Sequence, residues 1–110
     1  GIEAVEGDPT TFETEVTPQM TNQLGTLANG VLTSIITESS ARLLLHLKKG
    51  NMVVESISIY FIEPVQMEST LTIKPKLLDA GRLYAKIDVE IYNGRKLVCR
   101  AMLMAQLIQK

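Results

Sequence analysis

From Leu83 to Ile91 every odd position is apolar (Leu83, Ala85, Ile87, Val89, Ile91), and the intervening positions are Tyr84, Lys86, Asp88 and Glu90. A period of two over nine residues marks a strand with one buried and one wet face. Asn93-Gly94 follows, a dipeptide that tolerates the positive φ angles of a tight hairpin. A second alternation runs through Leu97, Cys99, Ala101, Leu103, Ala105 and Leu107. These two runs predict the last hairpin of the chain.

Three weaker alternations precede it. Phe12, Thr14 and Val16 alternate with Glu13, Glu15 and Thr17 and predict a short first strand that Pro18 ends. Val53, Ile57, Ile59 and Phe61 predict a second strand running out near Pro64. Leu71, Ile73 and Leu77 between Thr70, Thr72, Lys74 and Lys76 predict a third, with Pro75 pointing to a sheet edge or a bulge. Asp79-Ala80-Gly81 reads as a turn.

Between the first and second strands the period changes. Leu24, Leu27, Ala28, Val31, Leu32, Ile35 and Ile36 recur at helical spacing, and the pattern continues through Ala41, Leu43, Leu44 and Leu47. Thr21 or Asn22 can cap this helix, Lys48 and Lys49 suit its negative end, and Gly50 is a left-handed terminator. The expectation is one helix of about 24 residues, roughly 36 Å long. Its C-terminal half is apolar nearly all round, so it should be wrapped rather than laid on a surface.

The chain therefore reads strand, long helix, then four strands joined by short loops as an antiparallel meander. A one-sided sheet needs a cover, and only this helix supplies one. Ala101 and Ala105, with Gly30 on the helix, would permit a close approach. Tyr60, Ile62, Val98, Met102, Met104 and Ile108 fall on the other parity. That second face, or an open strand edge, is expected to be covered by another copy, as a homodimer or tetramer.

At 110 residues this is one domain, expected over residues 11–110 behind a patternless, disordered or tag-derived leader at 1–10. A net charge of -1 leaves no basic surplus for nucleic acid or an anionic membrane. The apolar run at Leu43–Leu47 is far too short to span a bilayer, and no secretory leader is visible. The single cysteine, Cys99, lies on an apolar strand face and reads as a core residue; the composition fits a reducing cytoplasm. His46 is the only histidine, and one His with one buried Cys makes no metal site. The chain opens Gly1-Ile2 without a methionine, which fits an excised piece of a longer protein.

The segment Asn22-Gln-Leu-Gly25-Thr26-Leu27-Ala28-Asn29-Gly30-Val31-Leu32 resembles the helix entry of hotdog-fold thioesterases of the phenylacetyl-CoA and 4-hydroxybenzoyl-CoA type. Ser58 to Val65 resembles the strand that follows, and Gly81-Arg82 with Asn93-Gly94-Arg95 resembles the closing hairpin. The resemblance spans roughly residues 11–107. It implies an α+β hotdog fold, in which a curved antiparallel sheet of about five strands wraps one central helix, and it implies a coenzyme A thioester as ligand. The chain is also similar to the C-terminal hotdog domain of bacterial multidomain proteins with cystathionine-β-synthase-type nucleotide-binding domains upstream. That would make it a regulatory module.

The family pattern is Asn, two residues, Gly-Thr-Leu-His-Gly-Gly, then an Asp or Glu seven residues on. By that resemblance Asn22 falls on the loop asparagine that positions the thioester or the catalytic water. Ala28 stands in place of the histidine, Asn29 in place of the glycine whose N–H polarises the carbonyl, and Thr37 in place of the carboxylate. Glu38 comes one residue late, about 100° further round the helix. Thr37 carries a hydroxyl that is not basic at neutral pH, and loss of a general base costs about 10²–10⁴-fold in rate.

The favoured expectation is thus an acyl-CoA-binding or dimerisation module lacking an efficient catalytic set, with no resident cofactor. The alternative is a thioesterase whose rearranged site uses Asn22, Glu38 and Thr37. A dehydratase would need a histidine where Ala28 stands. Ligand-lining candidates are Asn22, Asn29, Gly30, Ser34, Arg82 and Arg95, the arginines as forks for phosphate. Each has a plainer reading. Glu38 can pair with Arg42 one turn on, Ser34, Thr37, Ser39 and Ser40 can bond back to the preceding turn, Asn22 can cap the helix, and turn arginines are ordinarily solvated.

Overall fold

A computed structural model describes residues 1–108. Its elements are β1 (Glu3–Val5), β2 (Asp8–Glu15), a short 3₁₀ turn (Pro18–Met20), α1 (Asn29–His46), β3 (Asn51–Phe61), β4 (Thr70–Ala80), β5 (Tyr84–Asn93) and β6 (Lys96–Ile108). The six strands form one antiparallel sheet in the order β1-β2-β4-β5-β6-β3, with α1 packed on one face. This is the expected hotdog architecture.

The period-two reading of the last hairpin holds closely. Ala85, Ile87, Val89 and Ile91 of β5 and Leu103 of β6 are fully buried beneath the helix, and Cys99, Ala101, Ala105 and Leu107 are nearly so. On the outer face Arg100 grips Asp88 with Nε and Nη2 at 3.1 Å each, a fork that lets the sheet bury a carboxylate. The turn sits one residue later than Asn93-Gly94 implies. Asn93 pairs with Lys96, leaving Gly94 (φ 64°) and Arg95 as the loop.

Several expectations are corrected. The last four strands are not a meander: β4, β5 and β6 are consecutive, but β3 crosses over to pair with β6 and forms an open edge. Residues 1–10 carry no alternation, yet they hold β1 and most of the extra length of β2, with Ile2 buried in the core. The Arg42 guanidinium explains how so short a strand stays in place. Its Nη1 donates to the Ile2 carbonyl at 2.8 Å, and its plane lies 4.7 Å from the Phe12 ring centroid. The third strand continues through Asp79 and Ala80, so the turn is at 81–83, where Gly81 N–H donates to the Tyr84 carbonyl at 3.0 Å. Pro75 lies beyond the residues of β4 that pair with β2, on a stretch whose partner is β5 through Val89, consistent with the edge position its missing N–H favours.

The helix is shorter than its apolar spacing suggests, 18 residues with Ala28 at the N-cap. Leu24 is almost fully exposed (86%), while Leu27 is buried from a loop. Neither Thr21 nor Asn22 caps α1. At the C-terminus Lys48 itself takes the left-handed conformation (φ 58°), and Lys49 N–H reaches back to the Leu44 carbonyl at 2.8 Å. Gly50 (φ 99°) lies beyond that closure. Leu45 and Leu47 are exposed, so the curved sheet leaves the outer side of the helix's last turn uncovered. Gly30 is exposed too. The buried small residues of α1 are Ser39 and Ser40.

Besides a slip between Ala4 and Val5 at the sheet's edge, three bulges in the longer strands set which residues face where. The register slips between Val54 and Ser56, between Leu77 and Asp79, and between Ile91 and Tyr92. One extra residue flips the parity of everything after it. The last slip turns Val98, expected on the outer face, into a buried residue whose carbonyl accepts from Ile62 and Glu63 N–H at 2.9 and 3.2 Å. Met102 and Met104 are half-buried on that outer face, and Tyr60, Ile62 and Ile108 are exposed.

Candidate functional site

The loop before the helix is organised by one side chain. Asn22 Oδ1 accepts from Leu24 N–H (2.9 Å), Thr26 N–H (3.3 Å) and Thr26 Oγ1 (3.2 Å). Gly25 (φ 77°) permits the reversal, and Asn22 N–H closes it on the Thr26 carbonyl at 2.8 Å. The chain then runs extended through Leu27 and Ala28 into the helix. Asn22 is thus a loop organiser, and its amide nitrogen donates to no described residue.

Two clefts flank this entry, and the extended segment is the wall between them. Leu27 and Asn29 face one, and Ala28 and Gly30 face the other. The first, of about 350 Å³, brings Asn22 and Asn29 against Phe61, Ile62, Val98 and Cys99. The first helical N–H groups, those of Asn29 and Gly30, have no backbone acceptor among the described residues. With Ala28 at the N-cap, no side chain among the described residues caps them either. Free donors at the positive end of a helix dipole suit an acceptor oxygen that gathers negative charge.

Thr37 and Glu38 part company. Thr33 Oγ1 donates to the Asn29 carbonyl (3.1 Å) and Thr37 Oγ1 to the Thr33 carbonyl (2.9 Å), so Thr37 lies on the helix line that begins at Asn29. Glu38 lies on the line through Gly30 and Ser34 and borders the second cleft. Asn22 borders the first cleft and Glu38 the second. The partner of Glu38 is Arg42, at 3.7 Å. Ser34 donates to the Gly30 carbonyl (3.1 Å) and Ser39 to that of Ile36 (3.1 Å). Ser40 Oγ is buried without a partner among the described residues.

The arginines are not brought together. The ten residues of β5 separate Arg82 from Arg95, roughly 30 Å at the usual rise. Arg95 stands in the hairpin beside Lys96, whose Nζ is 2.7 Å from Glu63 Oε2. Glu63 is the carboxylate that borders the Asn22 cleft. Sequence reasoning passed over Glu63, Phe61, Val98 and Cys99 as site residues. The dipeptide Glu63-Pro64 at the strand's end was a usable signal; the bulge that turns Val98 inward leaves none. Cys99 offers no nucleophile, since burial pushes its thiol up to about 11. Among the described residues no three His, Cys, Asp or Glu side chains converge on a metal-sized site, and no helix is long and apolar enough to cross a membrane.

Residues 24–100 match the family model of the thioesterase superfamily. The chain is 50% identical over 103 residues to the uncharacterized protein YtoI of Bacillus subtilis (strain 168), covering 94% of this chain and 24% of that protein. The chain thus spans about a quarter of its relative's length. Among solved structures, smu.793 from Streptococcus mutans UA159 bound to acetyl CoA superposes with a TM-score of 0.92 at 19% identity, over 100% of this chain and 90% of that one. A hypothetical thioesterase of Streptococcus pneumoniae TIGR4 with coenzyme A gives 0.87 at 24% identity, over 91% and 81%. The E. coli PaaI protein of the phenylacetic acid degradation operon gives 0.83 at 24% identity, over 87% and 73%. At these identities the structures speak for the fold alone.

Proposed function

The chain belongs to the thioesterase superfamily, and from that premise we propose that it binds an acyl-CoA or a related coenzyme A thioester in the Asn22 cleft without hydrolysing it efficiently. The observation that carries this reading is the pairing of the unsatisfied helix N–H donor at Asn29 with a cleft into which α1 sends no carboxylate. The thioester carbonyl would accept from the Asn29 N–H and from Asn22 Nδ2. Leu27, Leu32, Phe61 and Val65 would hold the apolar part of the ligand. Arg95, in the hairpin at the same end of the sheet, would be the arginine to meet a phosphate. Arg82 lies at the opposite end and has no such role within one copy. The coenzyme A and acetyl CoA in the two streptococcal structures support this ligand class.

The open edge of β3 and the exposed Tyr60, Phe61 and Ile62 support a homodimer formed along that edge. The short share of the YtoI relative that is matched supports a module within a longer protein, sensing rather than turning over its ligand. A reducing cytoplasm, where coenzyme A thioesters are made, is the compartment that fits.

Titration calorimetry with a panel of acyl-CoAs, beside a thiol-release assay, tests the reading. Binding in the micromolar range with release close to the uncatalysed rate is expected. No binding below millimolar leaves only a structural role. Turnover at an ordinary enzymatic rate, about 1 s⁻¹ or more, abolished in Glu63→Gln or Glu38→Gln, establishes a rearranged hydrolase instead.

A further inference from the structure

We infer that the Asn22 cleft selects short, compact acyl groups and turns away long fatty acyl chains, with Leu32 at its floor setting the limit. The inference rests on the coenzyme A reading above and adds to it the class of acyl group. It stands on the order in which the lining residues are buried. Asn22 and Asn29, the donors proposed for the thioester carbonyl, are exposed at the mouth, beside Phe61 and Ile62 at 51% and 49% exposure. Leu27, Leu32, Val65, Val98 and Cys99 are buried, none above 5%. Two arms leave a carbonyl held at that polar mouth. The acyl arm is the apolar one and takes the apolar floor; the amide-bearing pantetheine arm keeps to the solvent side. Leu32 stands three residues after Asn29 on α1, next to it on the helix surface and below it in burial.

The floor is closed by the chain itself. Leu27 N–H donates to the Val65 carbonyl at 2.8 Å, which ties the helix entry to the loop after β3. Ile62 and Glu63 N–H both donate to the Val98 carbonyl, which ties the end of β3 to β6. All five floor residues belong to the main hydrophobic core, so deepening the cleft means unpacking that core. A second copy along the β3 edge would meet Phe61 and Ile62 at the mouth and leave the floor as it is. The cleft holds about 350 Å³. A cavity of about 150 Å³ already takes one six-carbon ring, so with the thioester counted in, the space suits an acyl group of about six carbons. A longer chain fills the floor and then turns back into water, where further methylenes gain nothing from burial.

Titration calorimetry of the full chain with acetyl-, butyryl-, hexanoyl-, octanoyl- and dodecanoyl-CoA tests this. Affinity is expected to rise about three- to fourfold per methylene as far as hexanoyl, as burial of each CH₂ predicts, and then to level off or fall. Leu32→Ala should carry the rise on to octanoyl. Leu32→Val, a smaller cut that disturbs the helix packing less, should favour octanoyl over hexanoyl in the same direction by a smaller factor, and it decides the point if Leu32→Ala fails to fold. A rise that continues through dodecanoyl overturns the inference. So does an affinity that is the same for every acyl group, which leaves the coenzyme A reading standing. A break at hexanoyl that neither variant moves overturns the assignment of the limit to Leu32. No binding of any acyl-CoA removes the coenzyme A reading and this inference together.

Discussion

Asn22 Oδ1 accepts the backbone N–H of Leu24 at 2.9 Å, and this contact, not a helix cap, is what the asparagine does for the fold. It bends the entry loop so that Asn29 arrives at the cleft as the first residue of the helix. The two ends of the amide are separable. Asn22→Asp keeps the acceptor and loses the Nδ2 donor, so it should hold stability within about 0.5 kcal/mol and weaken acyl-CoA binding. Asn22→Ala loses both and should cost about 1 kcal/mol in urea unfolding. Equal binding by both variants and the unsubstituted chain would remove Asn22 from the site.

Ser40 should be replaceable at a gain. Its hydroxyl is buried and unpartnered, whereas that of Ser39 reaches the Ile36 carbonyl. Ser40→Ala removes a desolvated polar group and improves helix propensity, so unfolding stability should rise by about 1 kcal/mol. Ser39→Ala should gain less. A loss at Ser40 would mean that the hydroxyl has a partner in solution, an ordered water being the first to look for.

The Cys99 thiol should resist alkylation. Burial raises it to about 11, so the folded chain holds its proton where the unfolded chain has lost it. The unfolded state then binds fewer protons than the folded state, and stability falls as pH rises. The decline should span pH 9 to 11 and reach about 2 kcal/mol. Cys99→Ala should flatten that limb, leaving the smaller slope from Tyr84 and Tyr92, which are also raised. Labelling by iodoacetamide at pH 8 should track global unfolding; rapid labelling of the folded chain would contradict it.

Arg42→Met should release the N-terminal strand. It removes the donor to the Ile2 carbonyl and the cation over Phe12 while keeping much of the apolar stem. A loss of about 1–2 kcal/mol is expected. Amide exchange should accelerate over residues 2–5 and leave β4, β5 and β6 protected. Uniform acceleration across the sheet would show that β1 is integral to global folding.

The alternation in β5 and β6 was enough to place both strands and choose their buried face, because a strand of period two offers only two orientations to a one-sided core. The long apolar period of α1 fixed its existence and its buried line at Leu32, Ile36, Leu43 and Leu44, all of which are interior. The same spacing overstated its start. Leu24, Leu27 and Ala28 fit a helical face, but nothing local shows that Asn22 and Gly25 will spend the backbone on a loop instead. Of the candidate site, the sequence carried the entry segment around Asn22, Asn29 and Gly30 and the one-residue offset of Glu38 along the helix, since rotation per residue is a property of the helix alone; Asn22 and Asn29 border one cleft and Gly30 and Glu38 another.

What tertiary structure decided was every pairing at a distance. The crossover of β3 to β6, the retention of the first residues by Arg42, the inward turn of Val98 and the meeting of Lys96 with Glu63 each join positions tens of residues apart or hang on a single inserted residue. Periodicity tells each segment which face is apolar, but not which neighbour will cover it. That choice belongs to the packing of the whole chain, where strand order and register are settled together by which arrangement buries the most apolar surface with its hydrogen bonds intact.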